Sequence, residues 1–313
     1  MSDWLSGKTV SLVLGSGGAR GLAHIGVIRA LEAAGARIEA VSGSSMGALV
    51  GGIYATGKLQ AYEDWVCGLE RSDVLSFVDW SFAGGGLMQG RKIINKLEEL
   101  VGKTNIEELE IDFTAVAVDI DHGREVWLSR GSLFDAIRAS IAIPGIFTPH
   151  RYRGRTFVDG GILNPVPVAP TLRNMTDLTI VVDVNGPESD PAPLEEGPPS
   201  DNESEGVMNR LREFVDGFRS DRQPEETRPG LLAVLMRSLD TMQSVIARQH
   251  LAVFQPDLAV LIPKNACMVH EFYQARAMID LGRDLAEQSF RSRDRYTVQP
   301  APYDKAENET DGE

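Results

Sequence analysis

Apolar and polar positions divide the chain into short apolar runs and longer periodic segments. Thr9 to Leu14 is a β-branched, apolar run ending at Gly15, and it predicts a buried strand. From Gly21 to Ala34, Leu22, Ile25, Ile28 and Leu31 recur at steps of three, with Gly35 just after, which predicts a helix with a glycine stop. Glu39 to Ser42 predicts a second short strand. Met46 to Thr56, small and apolar throughout, predicts a buried helix. Strand, glycine loop, helix, strand, tight turn, helix is the rhythm of an α/β fold with a mainly parallel sheet.

The theme continues downstream. Arg91 to Val101 predicts a helix; Phe113 to Val118 and Glu125 to Ser129 predict strands joined by a turn at Asp121-His122-Gly123. Ser132 is placed to cap a helix running to about Ile141. Arg151 to Val158 reads as a strand or hairpin, and Leu178 to Asp183 as another buried strand. Beyond it the pattern breaks. Gly186 to Gly206 holds seven acidic residues, five prolines and no Lys or Arg, too little apolar surface to offset its ordering entropy, so a disordered acidic insertion is expected there. A short amphipathic helix at Val207 to Phe218, a long helix at Leu231 to Phe254, a last strand at Leu258 to Ile262 and a closing helix from Glu271 to about Phe290 complete the pattern. One domain over 8–291 is expected, with an acidic C-terminal tail over 292–313.

Composition narrows the function classes. A chain of 313 residues with 42% hydrophobic and 24% charged residues has the balance of a folded globular protein. A formal net charge of −14 argues against nucleic acid as a partner. Cys67 and Cys267 are far apart and in no zinc or redox spacing, so a reducing, cytoplasmic setting and no metal are expected. Met1 to Trp4 has no basic, apolar leader pattern, and no apolar run reaches membrane-spanning length, so contact with a membrane would be peripheral.

The chemistry concentrates in two glycine-rich turns. Gly43-Ser44-Ser45-Met46-Gly47 matches G-x-S-x-G where the pattern places a strand-to-helix turn. A nucleophilic serine needs such a sharp turn, with glycines two residues to either side so that backbone passes close, and a helix N-terminus to favour developing negative charge. Only Ser45 has glycine at both spacings. The loop Gly15-Ser16-Gly17-Gly18-Ala19-Arg20-Gly21 fails the dinucleotide pattern, because Arg20 stands where the third glycine is required, and the Walker spacing is absent. Exposed backbone N–H groups at a helix N-terminus suit an oxyanion hole instead.

The general base is less plain. His24, His122, His150, His250 and His270 lie in no obvious triad context, although His250 or His270 could serve in principle. Val158-Asp159-Gly160-Gly161 offers a carboxylate at the end of an apolar strand; taken alone, the Asp-Gly pair is equally a hairpin signal.

These blocks, in this order, resemble the patatin-like phospholipases: Gly17-Gly18-Ala19-Arg20-Gly21, then Gly43 to Gly47, then Asp159-Gly160-Gly161, with Ala139-Ser140-Ile141-Ala142-Ile143-Pro144 similar to a fourth family block. The similarity is clearest over residues 8 to 185. The segment from Leu231 to Gly282 is similar to bacterial members related to the neuropathy target esterase catalytic domain. The resemblance implies a three-layer α/β/α fold and hydrolysis of acyl esters in lipid or lysophospholipid without cofactor or metal. It implies a Ser45–Asp159 dyad and an oxyanion hole of N–H groups near Gly17 and Gly18. Gly15, Arg20, Gly21, Gly43, Gly47, Gly160 and Gly161 complete the motifs. Ser16, where many members carry glycine, is a departure, as is the acidic insertion. Two rivals remain at this stage: a non-catalytic lipid-binding or regulatory protein on the same fold, and acyl transfer to an alcohol. Of the secondary features, Arg20 is read either as bracing the glycine loop or as contacting a lipid phosphate. Gly84 to Gly90 is read as a flexible rim or lid or an ordinary connection, and His150 to Arg155 as an exposed basic strand face or a patch that meets anionic headgroups.

Overall fold

The computed structural model describes residues 3–76, 80–81, 87–189 and 231–296. The strands are β1 (Thr9–Leu14), β2 (Arg37–Ser44), β3 (Trp80–Ser81), β4 (Leu87–Met88), β5 (Asp112–Asp119), β6 (Arg124–Leu128), β7 (His150–Tyr152), β8 (Arg155–Asp159), β9 (Leu178–Gly186) and β10 (Leu258–Pro263). The helices are α1 (Ala23–Ala33), α2 (Met46–Ala55), α3 (Leu59–Cys67), α4 (Arg71–Ser76), α5 (Arg91–Val101), α6 (Leu133–Ser140), α7 (Leu231–Phe254) and α8 (Ala275–Tyr296).

Eight strands form one sheet in the order β10-β9-β1-β2-β5-β8-β7, with β6 paired to the other edge of β5. The five strands from β10 to β5 are parallel; β6 and β8 run antiparallel to β5. The central strands are apolar almost throughout because both faces are covered. Leu12, Leu14, Ile180 and Val182 enter the large core with α1, α2, α6 and α8, whereas Val13 and Val181 enter a second core with Val166, Val168 and Ala247 of α7. Two cores on opposite faces of one sheet are the three layers of an α/β/α fold.

Local chemistry explains several elements. Ser132 caps α6, its Oγ accepting the Asp135 N–H at 3.2 Å. The β7–β8 hairpin turns at Arg153 (φ 49°) and Gly154 (φ 75°), the paired positive φ values of a type I′ turn. The small residues of α2 let it lie close: a Cβ on Gly51 would stand 2.6 Å from Val41 Cγ1.

Some boundaries differ from the sequence expectation. The segment after the glycine loop opens as a 3-10 turn over Gly18–Leu22 before α1 begins, and the closing helix likewise follows a 3-10 turn at Phe272–Gln274 and runs on to Tyr296. The second strand is twice the expected length, Arg37–Ser44: it begins earlier, where exposed Arg37 and Glu39 alternate with buried Ile38, and runs on through buried Gly43 and Ser44. Gly186, taken as the start of the acidic insertion, is the last residue of β9, and Ser189 still exchanges hydrogen bonds with Asn265. Helices α3 and α4 were not expected. The remainder of the acidic insertion, the segment Val207 to Phe218, Gly84 to Gly86 and the tail from 297 onward lie outside the described residues.

Candidate active site

The carboxyl ends of parallel strands, beside the point where the chain turns from one side of the sheet to the other, are where an open α/β sheet gathers its chemistry. Here β1 leads to β2 on one side and pairs with β9 on the other. The glycine loop leaves β1 and the Ser45 turn leaves β2, so both arrive at one crevice.

Ser45 stands between β2 and α2 with φ 55° and ψ −122°, a conformation that non-glycine residues rarely hold. The flanking glycines are required by contact rather than by their own dihedrals. A Cβ on Gly43 would lie 2.4 Å from the carbonyl carbon and oxygen of Gly47, and one on Gly47 would lie 2.0 Å from the Leu14 carbonyl oxygen. The turn is therefore closed against itself and against the end of β1. Ser45 Oγ donates a hydrogen bond to Asp159 Oδ2 at 2.5 Å. The other carboxylate oxygen accepts the Gly161 N–H at 2.7 Å. Both side chains are enclosed, at 4% and 3% exposure.

Asp159 reaches this place through strand pairing. On one edge of β5, Gly43 and Ser44 of β2 pair with Ala115 and Val116, and β2 then leaves the sheet. Strand β8 takes over on the next residue, Asp159 pairing with Ala117, while β6 occupies the opposite edge. Glycine at 160 is again a matter of room, since a Cβ there would stand 2.1 Å from the Val116 carbonyl oxygen. Burial raises the Asp159 carboxyl to a pKa of about 7, against the opposing effect of the hydrogen bonds from Ser45 and Gly161. A carboxylate so shifted is a far stronger proton acceptor than one at the ordinary carboxylate value.

The glycine loop is tied down on either side of Gly17 and Gly18. Gly15 N–H donates to Val182 O, Ser16 N–H to Pro165 O and Ala19 N–H to Val269 O. No hydrogen-bond partner among the described residues takes the N–H of Gly17 or Gly18. Arg20 points back into the loop: its guanidinium donates to Gly17 O (3.3 Å), Lys264 O (2.7 Å) and Asn185 Oδ1 (2.8 Å). Asn185 Nδ2 in turn donates to Ser16 O at 2.6 Å. Gly21 packs on the residue after Ser45, with room for no Cβ beside Met46.

His24, wholly buried in α1, donates from Nε2 to Gly15 O at 2.8 Å, and burial lowers its pKa to about 4. It braces the loop as a neutral ring. His122 bonds Asp119, His150 bonds Asp135, and His250 sits against Val166 O. The structure thus brings Ser45, Asp159, Gly161 and the glycine loop together, and gives those four histidines other partners. Sequence reasoning missed Ser140, which touches the Ser45 backbone, and Asn185, which ties the loop to β9. Their signals were no more than polar residues at the ends of apolar elements.

A family model described as patatin-like phospholipase matches residues 12–172, just over half of the chain. A Mycobacterium bovis protein described as an uncharacterized NTE family protein is 37% identical, covering 92% of both chains. A lysophospholipase of Cryptococcus neoformans is 33% identical over 201 residues, 62% of this chain and 12% of that protein. The crystal structure of VipD from Legionella pneumophila aligns with a TM-score of 0.44 and 16% identity over 91% of this chain and 67% of that one.

Proposed function

This chain belongs to the patatin-like phospholipase family, and on that premise we propose that it is a lipid acyl hydrolase of the phospholipase A or lysophospholipase type, working through Ser45 and Asp159. The observation that carries the reading is the 2.5 Å hydrogen bond from Ser45 Oγ to a buried carboxylate whose pKa is raised to about 7. The lysophospholipase among the relatives supports the choice of substrate class.

Asp159 accepts the Ser45 hydroxyl proton as Oγ bonds to the carbonyl carbon of the ester. Charge moves to the carbonyl oxygen, and the free N–H groups of Gly17 and Gly18 are the donors available to receive it; removing one such donor typically costs about 3 kcal/mol in the transition state. The intermediate collapses, the leaving alkoxide takes the proton from Asp159, and an acyl group remains on Ser45. Water then gives a proton to Asp159 and attacks the acyl carbon, and the fatty acid departs as Oγ is reprotonated. Arg20 holds the loop in place, and the enclosure of both side chains keeps bulk water from the charged intermediate. No helix among the described residues is long and apolar enough to cross a membrane, so lipid would be met at a surface.

The test is fatty acid release from lysophospholipid micelles by the wild-type chain, Ser45→Ala and Asp159→Asn. The reading requires release by the first and its loss in both variants while folding is preserved. Release by Asp159→Asn at the wild-type rate would remove Asp159 from the chemistry. Capture of the acyl group by an added alcohol at the expense of fatty acid would recast the enzyme as a transferase.

A further inference from the structure

Two residues at and just beyond the end of α6, Ser140 and Ala142, touch the backbone of the two proposed reacting residues, one each. The Ser45 N–H donates to Ser140 Oγ at 2.9 Å, and the Ser140 hydroxyl donates onward to the Val116 carbonyl oxygen at 2.6 Å. Two residues later, the Ala142 carbonyl accepts the Asp159 N–H at 3.0 Å. Val116 is the last residue of β5 paired with β2, and Ala117, the next, is paired with Asp159. The turn from Ser140 to Ala142 therefore spans the joint where one strand ends and the other begins. Ser140 is completely buried, so its hydroxyl has no water to turn to. Ser45, in its rarely held positive-φ conformation, has its own N–H committed to this contact rather than to substrate.

We propose that Ser140 is a positioning residue: its hydroxyl pins the strained Ser45 turn to β5 and so sets the approach of Ser45 Oγ to Asp159. The proposal rests on the dyad reading of the site. It differs from a plain packing role because a hydroxyl that accepts one bond and donates another fixes a distance, and reaction rates fall steeply when reacting atoms drift by an ångström. It also accounts for a serine at the buried last position of α6, where alanine would fill similar space but leave the Ser45 N–H without this acceptor and the Val116 carbonyl without this donor.

The experiment compares wild type, Ser140→Ala and Ser140→Thr in three measurements. Steady-state kinetics on a soluble ester should show kcat falling about 100-fold in Ser140→Ala with KM little changed, and substantial recovery in Ser140→Thr, which keeps the hydroxyl. The acid limb of kcat/KM should move to higher pH in Ser140→Ala. The Ser45 hydrogen bond is one of two that hold the Asp159 carboxyl down against burial, no charged side chain shares that role, and a drifting Ser45 weakens it. Partial unfolding alone would lower activity equally at every pH and leave the limb in place. Thirdly, the Ser45 amide of the wild-type chain should be among the slowly exchanging protons, and Ser140→Ala should speed it selectively, leaving the Val10–Leu14 amides of β1 unchanged. An unmoved acid limb together with unchanged Ser45 protection would overturn the proposal, as would a fast-exchanging Ser45 amide in the wild type. A wild-type chain with a protected Ser45 amide and no ester turnover would instead count against the dyad reading itself.

Discussion

Ser44 and Asp159 stand opposite consecutive residues of one strand, Val116 and Ala117 of β5, although 115 positions separate them in the chain. Strand β2 arrives parallel to β5 and β8 arrives antiparallel, so their ends meet on the same edge. The nucleophile's turn and the base are neighbours because two strands share one pairing surface end to end.

The first prediction concerns pH. With its folded pKa raised to about 7, Asp159 is ionised only above that value, so kcat/KM should halve near pH 7 and fall about tenfold per unit below pH 6. A pH–rate profile on a soluble ester checks this; a limb near pH 4 would mean a base that is not buried.

Stability should respond in the opposite sense. The Asp159 carboxyl titrates higher in the folded chain than in the unfolded one, where its value is about 3.8. Its contribution to stability is thus fully present below about pH 4 and is lost as pH rises through about 7, a span worth up to about 4 kcal/mol. Asp159→Asn, which removes the charge and keeps the shape, should gain on the wild type as pH rises, melting several degrees further above it at pH 8 than at pH 4, while being inactive. Thermal melts at the two pH values decide the matter; a variant equally destabilised at both would show that the ionised carboxylate is not under strain.

Arg20 supplies a third prediction. Its guanidinium is spent on Gly17 O, Lys264 O and Asn185 Oδ1, a planar fork that lysine cannot reproduce. Arg20→Lys should lower kcat/KM by about tenfold or more, equally for a neutral p-nitrophenyl ester and a lysophospholipid, and should lower the melting temperature. A loss confined to the phosphate-bearing substrate would place the guanidinium against a headgroup instead.

Much of this was legible in the sequence, for local reasons. The apolar run of β1, the small-residue helix α2 and the glycines around Ser45 each report a nearby demand: a strand covered on both faces, a helix in close contact, a turn with no room for Cβ. The short helices α3 and α4 were missed because their apolar positions, such as Leu59, Tyr62 and Val66, are few and spread over little more than two turns. The reach of β8 onto the edge of β5 was not legible, since pairing of strands distant in sequence leaves no mark in either strand. Ser140 lies within the block Ala139 to Pro144 with nothing local to single it out; its contact with the Ser45 amide exists only once α6 has packed on β5.

A steric prediction tests the turn directly. Gly47→Ala would place Cβ 2.0 Å from the Leu14 carbonyl oxygen, backbone that cannot step aside without moving β1. It should destabilise the chain by about 3 kcal/mol or more and remove activity, whereas Gly68→Ala, at a position with φ −87° and its nearest atom at 3.5 Å, should cost far less. Chemical denaturation of the two variants makes the comparison; equal losses would show that the close approach at Gly47 is not what holds the turn.

The central claim is that Ser45 is an activated nucleophile, and the most direct measurement is covalent labelling of the folded chain with a fluorophosphonate probe, followed by peptide mass spectrometry to locate the adduct. The account predicts one adduct, on Ser45, with loss of ester hydrolysis in proportion to labelling and no adduct in Ser45→Ala. Labelling at another residue, or ester turnover undiminished in Ser45→Ala, would contradict it.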